Sequence, residues 1–181
     1  MLYIKELQEE DTKEAGRFLL ATMEEAFPHP LSETARLDAL YMNERLVQPQ
    51  RTAVFGAYID GEAAGTIAVR PYDDRIASIE GRYELKETCE IIKCYVDPAM
   101  RKKGIGTALL RELLHFCRQN DYHMLYLHTQ LFLEGGLSFW KKQGFSVVAE
   151  ENDEWETVHM EGKLATIEQV VQKTETNAAG N

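Results

Sequence analysis

Residues 101–110 read RKKGIGTALL: three cations run into two closely spaced glycines, Gly104 and Gly106, and an apolar-rich helical pattern starts at once, lasting to about Gln119. Upstream, ETCEIIKCYV (87–96) reads as a long strand. Downstream, MLYLHT (124–129) reads as a strand buried on both faces, because its apolar run does not alternate. The three segments form one strand–helix–strand unit between residues 87 and 129, and that unit decides the fold class. It predicts a mixed α/β sheet.

The flanking sequence extends the pattern. LYIKEL (2–7) is a short strand candidate, and Asp11 with Glu14 suggests a capping box for a helix carrying Ala15, Phe18, Leu19 and Met23. PHP (28–30) ends that helix, and Ser32 caps a second, running to about Leu46. TAVFGAYIDGEAAGTIAV (52–69) reads as a hairpin about Asp60-Gly61, a pair suited to a type I′ turn. Residues 71–86 are polar and irregular. After MLYLHT come a helix over 134–142, with Glu134 capping or beginning it, and two strands, FSVVAEE (145–151) and ETVHMEGKL (156–164), joined at Asn152-Asp153. The predicted order is β-α-α-β-β-β-α-β-α-β-β: one domain over residues 1–164, then an extension, 165–181. In the extension Ile167, Val170 and Val171 suggest a short amphipathic helix, and TETNAAGN (174–181) a frayed tail.

The whole chain sets bounds on function. Its 181 residues suffice for one substantial core. A charged fraction of 28% and a hydrophobic fraction of 44% are those of a folded globular protein. No apolar run approaches the roughly 18 residues of a membrane span. The N-terminus lacks a signal-peptide layout, so a cytoplasmic location is expected. Three cysteines, Cys89, Cys94 and Cys117, sit in apolar segments and read as free buried thiols in a reducing compartment. Neither they nor the five histidines show metal-ligand spacing, so no metal is expected. A net charge of -10 argues against nucleic acid as a partner and favours cationic ligands.

On so acidic a chain the basic turn calls for a local reason. Glycines without Cβ atoms let a ligand approach the backbone, and the first amides of a helix have no intrahelical acceptors. With the helix dipole they form an anion site. Arg101, Lys102 and Lys103 add cations, and Thr107 a hydroxyl. The plainer alternative is a solvated basic turn. A dinucleotide fingerprint is excluded because Leu109 stands where its third glycine belongs, and no P-loop is present.

The pattern that does fit is Arg-x-x-Gly-x-Gly, filled by Arg101, Gly104 and Gly106. Within CYVDPAMRKKGIG (94–106), with LYLHT (125–129) and FWKKQGF (139–145), it resembles the GNAT superfamily of acyl-CoA-dependent N-acetyltransferases, over about Ile4 to Leu164. The resemblance implies that fold: a mainly antiparallel sheet flanked by helices, with one splayed parallel strand pair. It further implies acetyl-CoA as co-substrate. The diphosphate would rest on the turn from Arg101 through Lys102, Lys103, Gly104, Ile105 and Gly106 to Thr107. The pantetheine arm would pair with the strand at Cys94, Tyr95 and Val96. Direct transfer in a ternary complex is implied as well.

Acetylating an amine requires a base, since the free α-amine has a pKa of roughly 8 and a lysine amine roughly 10.4. Glu90 is the candidate: its strand neighbours are apolar, burial would raise its basicity, and EIIKCYV resembles family strands that carry a catalytic glutamate. The alternative is a strand residue facing outward and paired with a cross-strand cation. His128, at the C-terminal end of its strand, ranks below it. Cys94 has no locally placed histidine to activate it as a nucleophile. Where many relatives carry a tyrosine as general acid, four residues before the Gly144-Phe145 pair, this chain has Trp140, so that role does not carry over. Tyr95 and Tyr126 are the nearby hydroxyls that could replace it. A non-catalytic acyl-CoA-binding module on the same fold is therefore the second reading. The acceptor is a small-molecule or peptide amine: polyamines, aminoglycosides, protein N-termini and amino acids all fit. Its pocket is expected from residues 24–50, the 71–86 loop and the last hairpin, with Glu24, Glu25, Asp73, Asp74 and Glu154 as cation-recruiting acids. A homodimer is left open.

Overall fold

The computed structural model describes residues 1–180. Seven strands form one mixed, mainly antiparallel sheet in the order β1-β2-β3-β4-β5-β7-β6, with β4 and β5 as its parallel pair. They are β1 (Leu2–Glu6), β2 (Ala53–Ile59), β3 (Glu62–Pro71), β4 (Thr88–Val96), β5 (Met124–Gln130), β6 (Ser146–Glu150) and β7 (Thr157–Lys163). The helices are α1 (Thr12–Ala26), α2 (Glu33–Leu40), α3 (Ile105–Gln119), α4 (Gly136–Lys142) and α5 (Leu164–Ala179). Contacts group the described residues into two compact units, Met1–Arg70 with Ile91–Leu113, and Pro71–Glu90 with 114–180.

In the first unit β1, β2 and β3 pair antiparallel in sequence order. The β2–β3 turn is the Asp60-Gly61 pair, with φ of 51° and 90°, as a type I′ turn requires. Leu19, Met23, Met42, Leu46, Val54 and Tyr58 form the core with neighbouring apolar side chains. The expected capping box sits one turn earlier than Asp11–Glu14. Gln8 and Asp11 make it, because the Asp11 carboxylate is already taken by the Gln8 amide at 2.9 Å and Lys5 Nζ at 2.6 Å. Ser32 does cap α2, accepting from the Ala35 amide at 3.1 Å. The second helix stops at Leu40, and a wide π-type turn, Asn43–Val47, replaces its expected end.

Gly16 fixes how closely α1 approaches α2. A Cβ there would lie 2.3 Å from the Ala39 carbonyl oxygen, a backbone atom that cannot step aside. Gly16→Ala is expected to destabilise the protein by roughly 1–3 kcal/mol despite alanine's higher helix propensity. A thermal melt checks it; an unchanged or raised Tm would show that α2 shifts freely.

In the second unit β7 pairs antiparallel with β5 on one side and β6 on the other. Tyr72, Ile79 and Tyr126 are buried together beside Tyr83. Helix α4 begins at Gly136 behind the left-handed Gly135, so Glu134 does not cap it. Where the sequence suggests a short helix and a tail over 174–181, α5 runs to Ala179, and Asn181 lies outside the described residues. Buried Leu164, Ile167 and Val171 anchor it, and Glu168 pairs with Arg118. That anchored stripe, extended by i→i+4 backbone bonds, carries the polar residues after Lys173 in helical form. Among the described residues no helix is long and apolar enough to cross a membrane.

Candidate active site

The first unit carries the basic turn. At the end of β4 the Asp97 amide donates to the Ala64 carbonyl at 2.9 Å, and the Asp97 carboxylate accepts from the Ala99 amide at 2.9 Å. This Asx-type cap starts one short 3₁₀ turn, Pro98–Met100, which brings the chain round to Arg101. Arg101 Nε approaches the Val96 carbonyl at 3.4 Å, while Lys102 and Lys103 are exposed. Gly104 has φ 78°, and no atom lies within 4 Å of where its Cβ would stand. Helix α3 begins at the next residue, with no acidic side chain in its first turn. The Gly104 carbonyl already accepts from the Ala108 amide at 3.0 Å, the first helical bond. Open space beside a helix N-terminus flanked by Arg101, Lys102 and Lys103 fits a diphosphate group. Ile105 is buried, whereas Gly106 and Thr107 keep partial exposure in this first turn.

Strand β4 bears a feature that local sequence does not announce. Lys93, in mid-strand, has φ 54°, a left-handed conformation that costs a non-glycine residue of order 1–3 kcal/mol. Long-range partners hold it. Thr66 Oγ1 donates to the Lys93 carbonyl at 2.9 Å, and Lys93 Nζ lies 3.1 Å from the Asp38 carboxylate. Asp38, 2% exposed, also accepts from Arg45 Nε at 2.7 Å. A left-handed residue in a strand interrupts regular pairing and re-aims the next residues, here Cys94, Tyr95 and Val96. These three keep partial exposure, as Glu90 on the same strand does not. Burial pushes the Cys94 thiol up to about 12, which disfavours the thiolate.

Glu90 lies in the second unit, with 0% exposure. Arg75, from the irregular segment before β4, clamps it with two bonds: Nη1 to Oε2 at 2.8 Å and Nη2 to Oε1 at 2.6 Å. The same guanidinium reaches Asp73 at 2.9 Å. The Arg75 pKa is pushed up, chiefly by its bonds to Glu90. The sequence alternatives, buried base or outward-facing ion pair, therefore divide differently: Glu90 is both buried and paired. Its Oε1 lies 3.8 Å from His128 Nδ1, within ion-pair range but too long for a hydrogen bond. The His128 side chain keeps 32% exposure. Tyr126, two residues earlier on the same face of β5, places its hydroxyl 3.4 Å from that Nδ1.

Trp140 is 5% exposed and makes edge-to-face contacts with Phe139 and Phe145 at ring separations of 4.8 and 5.3 Å. It is a core residue of α4. Among the described residues no His/Cys/Asp/Glu cluster could hold a metal ion.

Residues 13–145 match the family model described as the acetyltransferase (GNAT) family, nearly three-quarters of the chain and the whole turn–helix region. The chain belongs to the GNAT family. It is 30% identical over 108 residues to streptothricin acetyltransferase A of Bacillus subtilis, an alignment covering 60% of this chain and 56% of that protein. The chain spans about half the length of the curated relatives it matches. Among solved structures, a GNAT acetyltransferase of Staphylococcus aureus superposes with a TM-score of 0.73 at 16% identity, covering 91% of this chain and 99% of that one. The PaiA N-acetyltransferase of Thermoplasma acidophilum, solved with coenzyme A, gives 0.64 at 21% identity, covering 90% and 99%. At these identities the structural likeness is one of fold. Within this GNAT chain, Arg75, Asp38 and the left-handed Lys93 are the features sequence reasoning missed. Nothing in the local pattern EIIKCYV marks a residue whose conformation is set from Thr66 and Asp38.

Proposed function

We propose that the protein transfers the acetyl group of acetyl-CoA to a primary amine directly, within a ternary complex. The observation that carries this reading is a buried, charge-clamped Glu90 carboxylate beside the half-exposed imidazole of His128. Acetyl-CoA supplies an activated acyl thioester. The chain has to bind it, receive the amine and take the amine's proton. Gly104, Gly106 and the cations of the turn hold the diphosphate, and β4 at Cys94, Tyr95 and Val96 offers backbone groups to the pantetheine arm.

His128 is the base, and Glu90 supports it. Both Glu90 oxygens are occupied by Arg75, so the carboxylate works through its charge. It stabilises an imidazolium at His128, the more accessible member of the pair. His128 takes the proton that the attacking nitrogen must lose. Burial disfavours the Cys94 thiolate that an acyl carrier would need. A module that binds acyl-CoA without turning it over is the competing reading. One observation favours it, the burial of Trp140 where a tyrosine acid would stand.

The test is acetyl-CoA with a panel of amines: spermidine, kanamycin, L-methionine amide, a tetrapeptide with a free N-terminus, and streptothricin, the compound named for the Bacillus subtilis relative. Amine-dependent CoA release with an N-acetyl product supports transfer; CoA binding with no release from any amine supports the module. Gly104→Val tests the cradle separately. It places a β-branched side chain at φ 78° and fills the open space beside the helix start. Calorimetry is expected to show CoA affinity falling by at least about tenfold (~1.4 kcal/mol) in a folded protein. Unchanged affinity would remove the turn from the binding site.

A further inference from the structure

Beyond His128 the second unit contains a continuous chain of hydrogen-bonding groups that acetyl transfer itself does not require. The Tyr126 hydroxyl, 3.4 Å from His128 Nδ1, lies 2.7 Å from Nδ1 of His159. His159 Nε2 lies 3.1 Å from Glu151 Oε1, which also accepts from Ser78 Oγ at 2.6 Å. Strand register builds this row. Tyr126 and His128 are two apart on β5, and His159 of β7 stands directly opposite His128. Tyr126 and His159, 0% and 2% exposed, stack at 5.9 Å, while the Glu151 side chain is 36% exposed. The row runs from the candidate base through the buried Tyr126 and His159 to the partly exposed Glu151.

We infer that Tyr126, His159 and Glu151 form the exit path by which the amine's proton leaves the active site. The inference rests on the acetyl-transfer reading. An ammonium substrate loses two protons on becoming an amide: one ends on the CoA sulfur, the other must reach solvent. The network assigns the tautomers. Glu151 can only accept, so His159 carries its proton on Nε2 and accepts from the Tyr126 hydroxyl at Nδ1. Tyr126 oxygen then accepts from Nδ1–H of His128, leaving Nε2 of His128 to take the substrate's proton. When it does, the His128 Nδ1 proton passes to Tyr126 oxygen and the Tyr126 proton to His159 Nδ1. The His159 Nε2 proton passes to Glu151, which releases it to water. Each group ends with as many protons as it began with, but both imidazoles end as the opposite tautomer and the Tyr126 hydroxyl reversed, so the rings and hydroxyl must reorient before the next turnover. The order of affinities suits this direction. Ser78 and His159 hold Glu151 below its usual carboxylate range, so the outer end stays ionised and sheds protons readily. Burial, before any nearby charge, pushes Tyr126 up, so it passes a proton without resting as a phenolate. The other charged groups facing the row are Glu90 with Arg75 at His128, and Glu161 with Arg82 opposite Tyr126.

These are relay residues, so activity loss alone would not identify them. The test uses acetyl-CoA and whichever panel amine turns over fastest, with wild type, Tyr126→Phe, His159→Gln and Glu151→Gln assayed in dilute buffer and again with added imidazole. The relay predicts kcat lower by about tenfold or more in each variant, against the 10²–10⁴-fold scale of a positioned acid–base group. KM for acetyl-CoA stays unchanged, and imidazole restores most of the rate by carrying the proton from outside. Unchanged kcat, or a loss that imidazole does not relieve, overturns the inference. If the two core variants fail to fold by circular dichroism, Glu151→Gln, at the surface, decides on the same criteria. A wild type that acetylates no amine in the panel overturns the transfer reading and the relay with it; an active wild type with indifferent variants overturns the relay alone.

Discussion

Glu90→Gln is expected to lower turnover by about 10²–10⁴-fold, the range for removing general acid–base catalysis, while CoA affinity stays near wild type. The amide keeps the size of the carboxylate and removes its charge. That loss acts in two places. Arg75 loses its buried charged partner and one of the two acceptor oxygens it clamps, keeping its bond to Asp73, and His128 loses the negative charge 3.8 Å from its Nδ1. An imidazolium there is then less stable, so proton removal from the amine slows. The rise of the rate with pH should persist in Glu90→Gln but move to lower pH, because His128 has lost the neighbouring charge that favours its protonated form. Arg75→Met separates charge from clamp: it leaves the carboxylate ionisable but loosens its position, and a smaller loss is expected. If Glu90→Gln retained full turnover and the wild-type profile, the Arg75–Glu90 pair would be a structural ion pair only.

Trp140→Ala is expected to destabilise the protein by roughly 3–5 kcal/mol, the cost of emptying a large aromatic site that cannot collapse. The side chain is 5% exposed and sits against two aromatic rings, so little of its volume would be recovered by water or by repacking. A urea titration measures this directly. Trp140→Phe, which keeps an aromatic ring in the site, should retain most of the chemical rate. The reason is chemical: a thiol pKa of roughly 8.5 makes the CoA thiolate a tolerable leaving group near neutral pH without a proton donor. Burial pushes both Tyr95 and Tyr126 up, which makes either phenol a poor substitute acid, so water protonates the departing sulfur. A chemical step that collapsed in stably folded Trp140→Phe, with CoA still bound, would place the indole in the reaction.

The parts of this protein that sequence discloses are those whose cause is local. The Asp60-Gly61 hairpin, the Ser32 cap and the glycine-broken entry to α3 each depend on a few adjacent residues, and each is found where the pattern places it. The two-face-buried strand 124–129 is likewise legible, as Leu125, Tyr126 and Leu127 show. What sequence hides is set from a distance. Lys93 is left-handed because Thr66 and Asp38 hold its two ends, and neither is near it in the chain. Glu90 could be seen as a carboxylate in an apolar strand. That its partner would be Arg75, from a segment with no regular structure, could not. The facing of His128 and His159 depends on register between two strands far apart in the chain, and so the row running to Glu151 is visible only in three dimensions. Glu134 shows the converse, a local signal outweighed by Gly135.

Direct transfer is tested most sharply by the order in which CoA and acetyl group part. The protein is mixed with acetyl-CoA alone, quenched over time and read by intact-protein mass and free thiol. The panel amine with the fastest turnover is then added. Direct transfer predicts no thiol release and no mass gain until the amine arrives, then CoA and N-acetyl product appearing at one rate. A burst of free CoA before the amine, with an acetyl group left on the chain at Cys94 or elsewhere, would contradict it.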